Sequence, residues 1–204
     1  MNVERRGRRR TYHHGNLRAA LVETAVRLVQ REGIEALSLR SVARLAGVSA
    51  AAPYRHFADK RALLAAVAEE GFRLLASALR HATGGEPRER FRERGRAYVG
   101  FALGHPSHFR VMFGRELADR DPYPALRDAA RAAFDAMVEG MAEAQQAGVL
   151  REGDPRELGL TAWCAMHGLS MLLLDGRLQA VYGRDTDELS AMVGSHLYRG
   201  LDRR

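Results

Sequence analysis

One stretch, from Ser38 to Leu64, restricts the fold more than any other part of the chain. A short run with helical spacing, which is predicted to place Val42 and Leu45 on one face, is followed directly by Gly47. Glycine adopts the backbone conformation that a turn of three or four residues needs, so this first helix is predicted to end here. The apolar side chain of Val48 is then predicted to fill the angle between two helices.

A second short helix is predicted to begin at Ser49 and to end at about Phe57, which makes the segment a helix-turn-helix. Asp59 is a good N-cap for a third helix, and Leu63, Leu64 and Val67 are predicted to form the buried side of that helix. The pattern therefore predicts a compact group of helices early in the chain.

Over roughly residues 15–75 the sequence resembles the TetR/AcrR family of transcriptional regulators. Each piece of the family pattern is weak by itself, but here the whole run occurs at the correct spacing. The matching residues are Gly33, Ser38, Val42, Ala43, Ala46, Gly47, Val48, Ser49, Tyr54, Phe57, Lys60, Leu63 and Leu64. The resemblance implies an all-α chain, in which an N-terminal helix-turn-helix domain of three helices precedes a larger helical domain for ligand binding and dimerisation.

The excess of basic residues lies at the amino-terminal end. The chain has 32 Lys and Arg against 25 Asp and Glu, a formal net charge of +7, and residues 1–60 account for all of this excess. Such an arrangement suits the neutralisation of DNA phosphates. A basic tail that only improves solubility would explain the arginines before residue 11. It would not explain the basic residues inside the predicted helices, which are Arg18, Arg40, Arg44, Arg55 and Lys60.

Residues 1–14 are predicted to form a basic arm that is mobile in the free protein. The arm either enters a minor groove or lies along phosphates, and both alternatives stay open. Within the helix-turn-helix, Arg40 lies one turn into its helix and is the residue best equipped to reach a base edge or a phosphate. The full set predicted to contact DNA is Ser38, Arg40, Ser49, Ala50, Ala51, Tyr54, His56 and Lys60.

The second helix begins with unusual chemistry for a reader of DNA. Ser49 offers one hydroxyl and residues 50–52 offer three methyl groups, which contact a thymine methyl but form no bidentate hydrogen bonds. Specificity is therefore expected to depend on Arg40, the arm and DNA shape. Pro53 removes a backbone donor and crowds the preceding turn, so an irregular helix is expected there.

Three of the residues predicted to contact DNA are expected to contact phosphate. For Tyr54 and His56, the family resemblance implies this contact. Lys60 begins the following helix, where its ammonium and the positive end of the helix dipole both favour a nearby anion.

Two glycines and a proline between residues 81 and 87 mark the one clear boundary. The chain is predicted to divide into a basic arm (1–14), a DNA-binding domain (15–60), a connecting helix and linker (61–86) and an effector-binding and dimerisation domain (87–204). Helices in the last part are predicted at 87–103, 106–113, 122–147, 155–175 and 186–201.

Helix 155–175 is apolar on nearly every side and must be buried on more than one. One side is expected to face its own domain, and the other, together with helix 186–201, a second subunit in a four-helix interface. Trp163, His167 and Gly168 resemble the W-x(3)-H-G signature of a subgroup of TetR-like effector domains.

The predicted ligand-binding residues include two members of that signature, although an ordinary core would explain them equally well. They are Phe101, Met112, Phe113, Phe134, Met137, Trp163 and His167.

Composition argues against several other classes of protein. The single cysteine, Cys164, excludes an internal disulfide, and the histidine pairs 13–14 and 105/108 lack partners for a metal site, so neither metal nor cofactor is expected. No apolar run approaches the roughly 18–20 residues of a membrane span, and a cytoplasmic protein is expected. Because neither a Gly-rich phosphate loop nor a serine elbow is present, no enzyme is expected.

These observations lead to one hypothesis and one alternative. The hypothesis is a homodimeric repressor that binds a palindromic operator in double-stranded DNA and is released by an unknown small molecule, with its two helix-turn-helix units about 34–36 Å apart. The alternative is a regulator of the same fold that activates transcription or acts without an inducer.

Overall fold

The computed structural model describes residues 17–82, 85–178, 183 and 185–201. The helices of these residues are α1 (Leu17–Glu32), α2 (Leu39–Ala46), α3 (Lys60–His81), α4 (Pro87–Gly104), α5 (Pro106–Met112), α6 (Pro124–Gln146), α7 (Pro155–Leu174) and α8 (Thr186–Leu201). Two short 3-10 turns lie at Pro53–Arg55 and Arg115–Leu117, and the described residues contain no strand. The predicted all-α class is confirmed, while the predicted basic arm, residues 1–14, lies outside the described residues.

The first two helices end and begin where the sequence predicts. α1 ends at Gly33, whose φ of 83° is the left-handed conformation that glycine favours. α2 begins at Ser38, whose Oγ accepts a hydrogen bond from the Ser41 backbone N–H at 3.0 Å, while Ser41 Oγ accepts from the Ser38 backbone N–H at 2.9 Å. This reciprocal capping box satisfies two backbone donors, and the helix ends at Gly47 with a φ of 70°.

α3 is the long helix at the centre of the molecule. Its N-cap is Asp59, whose Oδ1 accepts from the Ala62 backbone N–H at 2.7 Å. Leu63, Leu64 and Val67 are buried as predicted. α3 packs against α1 near its start and against α4, α5 and α6 further along, so one rigid element touches both halves of the chain.

Val42 and Leu45, which are predicted to lie on one face of α2, differ in burial. Val42 is fully buried, but Leu45 is 42% exposed. The buried face of α2 consists of Leu39, Val42, Ala43 and Ala46, which have the i, i+3, i+4, i+7 spacing of one helix face. Leu45 falls outside that set.

The predicted second helix, from Ser49 to about Phe57, is not a regular α-helix. Its only helical turn is the 3-10 turn Pro53–Arg55. The backbone N–H groups of Ala52 and Arg55 donate to carbonyl oxygens three residues earlier, whereas Pro53 has no N–H to give. The irregularity expected from Pro53 therefore extends over the whole segment.

Helix limits in the remainder differ from prediction by a few residues. The largest difference is at α6, which begins at Pro124 instead of residue 122. A proline keeps the residue before it out of the helical conformation and suits the first position of a helix, so Tyr123 stays outside and Pro124 begins α6.

α7 is long and apolar enough to cross a membrane, with a mean hydropathy of 1.3, so the expectation that no stretch reaches this length is wrong. The reason is that its acidic and basic residues, Arg156 and Glu157, are confined to the first turn. Core helices of globular proteins meet the same criterion, and α7 packs against α4, α6 and α8 in this structure.

Candidate functional site

Most of the side chains predicted to contact DNA lie on the surface. Lys60 is half-buried, and the others are exposed, namely Ser38, Arg40, Ser49, Ala50, Ala51, Tyr54 and His56. Three arginines of the same region, Arg40, Arg44 and Arg55, form no ion pair with any residue that the structure describes. Their positive charges are therefore not neutralised by these residues and are available to phosphates.

Two buried residues fix the short turn that carries the exposed aromatic side chains. Pro53 and Phe57 are both buried, and the Arg18 guanidinium lies over the Phe57 ring at 5.5 Å from its centroid. Because both ends of the turn are held in the core, Tyr54 and His56 between them face solvent.

Lys60 has a structural contact that the sequence does not reveal. Its Nζ donates a hydrogen bond to the Ile34 carbonyl oxygen at 2.9 Å. Ile34 follows the residue that ends α1, so this bond ties the start of α3 to the connection between α1 and α2. An ammonium group has three donors, which leaves two for a phosphate.

The residues predicted to bind a ligand do not form one site. Those that line a small cavity of about 30 Å³ against α3 are Phe113, Phe134, Met137 and Trp163. Phe101 and Met112 are instead buried in the core.

His167 lies in a hydrogen-bonded chain with Trp163 and Tyr98, a residue that the sequence analysis missed. Trp163 Nε1 donates to Tyr98 Oη at 2.9 Å, and Tyr98 Oη lies 3.1 Å from His167 Nδ1. The hydroxyl accepts from the indole, and it keeps a proton and a second lone pair, so it hydrogen-bonds to His167 Nδ1 in either tautomer of the imidazole. Burial raises the pKa of Tyr98 and lowers the pKa of His167, so both groups are neutral at pH 7.

A larger cavity of about 260 Å³ lies between α4, α6, α7 and α8, and Leu79 near the end of α3 also contributes to its wall. Met137 is the one predicted ligand residue among those that line it. Three arginines of α4 line it as well, Arg92, Arg94 and Arg96.

The sequence does contain a signal for Arg94. Phe91, Arg94, Tyr98 and Phe101 have i, i+3, i+7, i+10 spacing, which puts a charged side chain on the apolar stripe of α4. The arginine-rich composition of this helix hides that signal, because it resembles an ordinary solvated surface.

The outer side of α7 has apolar residues that the described part of the chain leaves exposed. Leu160, Met171 and Leu172 are large exposed side chains on that helix, and Cys164 is exposed too. A cluster of this kind is typical of a surface that contacts another protein.

Two family models match most of the chain. Residues 21–67 match bacterial regulatory proteins of the tetR family, and residues 91–195 match the tetracyclin repressor-like C-terminal domain. The chain belongs to the TetR family. It is thus a DNA-binding transcriptional regulator. The subgroup suggested by Trp163, His167 and Gly168 stays a prediction.

Solved structures agree with this fold. One is a protein of unknown function from Rhodococcus sp. RHA1, with 37% identity and a TM-score of 0.83 over 95% of this chain and 100% of that one. Another is the TetR family transcriptional regulator PfmR from Thermus thermophilus, with 20% identity and a TM-score of 0.69 over 90% of this chain and 99% of that one.

A third is the fatty acid degradation regulator FadR from Bacillus halodurans, with 16% identity and a TM-score of 0.71 over 95% of this chain and 100% of that one. At their low identities, the likenesses to PfmR and FadR establish the shared fold alone. No curated protein is significantly similar to the chain in sequence.

Proposed function

We propose that this TetR family regulator is a homodimeric repressor that leaves a palindromic operator when a small molecule binds its helical domain. In this proposal residues 15–60, with arm 1–14, bind DNA, residues 61–86 connect, and residues 87–204 bind the effector and dimerise. The observation that carries the proposal is the reach of α3, because Lys60 at its start bonds to the connection between α1 and α2 and Leu79 near its end lines the 260 Å³ cavity.

The length of α3 makes it a suitable lever. At 1.5 Å per residue, about 29 Å of helix separates Lys60 from Leu79. Arg61, one residue after Lys60, donates to the carbonyl oxygens of Glu116 at 3.0 Å and Asp119 at 2.8 Å. The DNA-proximal end of α3 is therefore also bonded to the helical domain, so a shift of that domain acts on the helix-turn-helix.

The walls of the cavity offer a second contact with α3. Tyr98 and Met137 line both the 260 Å³ cavity and the 30 Å³ cavity, and the smaller cavity is bounded on its other side by Phe72 and Leu75 of α3. A ligand that displaces these two side chains therefore presses on α3. Such a ligand lowers DNA affinity if it binds the displaced arrangement more tightly.

Dimerisation is supported by the exposed apolar residues of α7. Two copies that cover this face with α7 and α8 would form a four-helix interface. The two helix-turn-helix units would then meet successive major grooves about 34–36 Å apart. We assign the contacts within each unit to Ser38, Arg40, Ser49, Ala50, Ala51, Tyr54, His56 and Lys60, and we place the protein in the cytoplasm without a cofactor or catalytic role.

Selection of bound duplexes from a random pool tests DNA recognition. We expect enrichment of two-fold symmetric sequences, and a pool that stays random would contradict the proposal. Arg40→Ala should then weaken binding to the selected duplex, while the exposed Arg151→Ala in the helical domain should leave it unchanged. If Arg40 reads a base, its loss relaxes specificity at one position; if it meets a phosphate, the loss is equal for all sequences.

Release by a ligand needs a separate measurement. A library of small molecules is tested first by thermal shift and then for release of the selected duplex. We expect at least one compound that both raises the Tm and lowers DNA affinity, because binding to one conformation stabilises it. A library without such a compound would favour the alternative in which the regulator acts without an inducer.

A further inference from the structure

The 260 Å³ cavity combines an apolar body with a cationic wall. Phe91, Met137 and Met166 are among its apolar lining residues, while Arg92, Arg94 and Arg96 are basic, and no acidic residue is among the described residues that line it. At about 30 Å³ for each water-sized group, the cavity holds roughly nine such groups. It therefore suits a small organic molecule with an apolar part.

Arg94 differs from the two other arginines in its burial and its partners. Only 11% of its side chain is exposed, and its Nη2 donates to Glu143 Oε2 at 2.7 Å. Its Nε is buried and has no acceptor among the described residues. Arg92 and Arg96, by contrast, are more exposed and both pair with Glu89.

Gly140, in the interior of α6, makes room for the Arg94 guanidinium. A Cβ at this position would lie 2.8 Å from both Cδ and Nη1 of Arg94. Because glycine is less favourable than alanine inside a helix, Gly140 lowers the intrinsic stability of α6. In return, it leaves space for the Arg94 guanidinium. The buried arginine is thus accommodated by two helices.

A groove adjoins the cavity between α4 and α8. The groove has a volume of about 360 Å³ and shares Arg96, Ser190 and Ala191 with the cavity as lining residues. Its described lining includes one basic residue, Arg96, and one acidic residue, Asp187.

We propose that the cavity binds a small monocarboxylate, whose oxygen accepts a hydrogen bond from Arg94 and whose apolar body packs among the methionines. The inference rests on the proposed function, since it names the chemical class of the effector. A carboxylate fits the unpaired guanidinium donor, and one negative charge suffices because Glu143 already shares this guanidinium. A cation is disfavoured by the guanidinium of Arg94, and a neutral acceptor forms a hydrogen bond in which only the donor is charged, which is weaker than a hydrogen bond to a carboxylate.

Titration calorimetry on the full chain at pH 7.5, with three probes that each contain eight carbon atoms, tests the proposal. The probes are sodium octanoate, octan-1-ol and octylamine. We expect octanoate to bind with a Kd below about 1 mM and ten-fold or more tighter than octan-1-ol, because hydrogen bonds to charged groups are strong. Octylamine, a cation at this pH, is expected not to bind.

Variants assign the preference to Arg94. Arg94→Met should weaken octanoate binding ten-fold or more and leave octan-1-ol unchanged, whereas the matched Arg96→Met should change octanoate binding less than about three-fold. Gly140→Ala keeps the arginine but displaces it, so octanoate binding falls while the Tm holds or rises. This variant retains the test if Arg94→Met fails to fold, because alanine is well accepted in a helix.

The outcomes separate this inference from the proposed function. Three results would each overturn the carboxylate site. The first is no octanoate binding at about 1 mM, and the second is equal binding of octanoate and octan-1-ol. The third is an octanoate affinity that stays unchanged in Gly140→Ala and in folded Arg94→Met. Octanoate binding that depends on Arg94 but does not release the selected duplex would leave the site intact and contradict its role as the effector site.

Discussion

The hydroxyl group of Tyr98 connects two other side chains of the helical domain. It accepts from Trp163 Nε1 and shares a hydrogen bond with His167 Nδ1. His167 also packs edge-on against Phe113, with ring centroids 4.4 Å apart. Trp163 and His167 are both partly buried, and their hydrogen bonds to Tyr98 link α7 to α4.

We expect Tyr98→Phe to lower the free energy of unfolding by about 1–3 kcal/mol, since two partly buried groups lose their partner at once. Urea denaturation followed by circular dichroism measures this change. The matched control is Tyr54→Phe, whose side chain is 52% exposed and which should change stability by less than about 0.5 kcal/mol. Equal effects of the two variants would show that the hydroxyl of Tyr98 has no special role.

The lowered pKa of His167 predicts a dependence of stability on pH. Burial disfavours the charged form of His167, so its pKa is lower in the folded protein than in the unfolded chain. At a pH between these two pKa values, the unfolded chain binds a proton that the folded protein does not. Stability is therefore full above a pH of about 6.5 and decreases as the pH falls below it. Thermal melts should give a lower Tm at pH 5.5 than at pH 7.5, with a smaller difference in His167→Asn. A Tm that rises towards pH 5.5 would contradict this assignment.

Among the helices, α3 and α5 approach closely at Gly71. A Cβ at this position would lie 2.5 Å from Met112 Sδ and 3.1 Å from His108 Cβ. Both neighbours are buried and cannot move freely in a close-packed interior. The glycine therefore sets the distance between the long helix and α5.

Gly71→Ala should destabilise the protein by about 1–3 kcal/mol through this overlap. Gly100→Ala, on the exposed side of α4, is the matched control, because a Cβ there meets no atom within 4 Å. It should stabilise the protein by about 0.5–1 kcal/mol through helix propensity. The urea midpoint should fall in Gly71→Ala and rise in Gly100→Ala. A rise in both variants would mean that α3 and α5 separate at little cost in free energy.

The helix ends that depend on local chemistry were predictable from the sequence. Ser38 and Asp59 accept hydrogen bonds from backbone N–H groups a few residues later, and Gly33 and Gly47 adopt the left-handed conformation that ends a helix. Each of these helix ends therefore depends on residues that are close in the sequence. The segment 49–57 differs, because its conformation follows from the burial of Pro53 and Phe57 against other helices. The exposure of Leu45 could not be predicted for a similar reason, since spacing alone does not reveal which side of α2 meets the core.

At the scale of the whole molecule, the proposed dimer depends on the exposed residues of α7. Leu160, Met171 and Leu172 would be buried if two copies pair through α7 and α8. A charge placed there would oppose association, because it must lose water without gaining a partner.

Leu172→Glu is expected to convert the dimer to a monomer in sedimentation velocity and to weaken DNA binding with it. Leu74→Glu, an exposed leucine on α3, is the matched control and should leave the dimer intact. A wild-type chain that sediments as a monomer at micromolar concentration would contradict the proposed interface.

The residues predicted to contact DNA were easier to find from the sequence than the residues that line the cavity. The exposed residues around Arg40 and Tyr54 belong to one motif, whose members are close together in the sequence. The cavity depends on how α4, α6, α7 and α8 meet, and only Met137 among the predicted ligand residues lines it. Aromatic residues such as Phe101 were predicted there because apolar character alone does not separate a cavity wall from a filled core.

Fluorescence anisotropy tests the central claim, that two copies of the helix-turn-helix read DNA together, most directly. A labelled duplex with the selected palindrome is compared with a scrambled one at salt concentrations of about 50 and 200 mM. We expect the palindrome to bind two chains and to bind at least about 10³-fold tighter than the scrambled duplex at the higher salt, with both affinities falling as salt rises. Equal affinity for both duplexes, or binding of a single chain, would contradict the account.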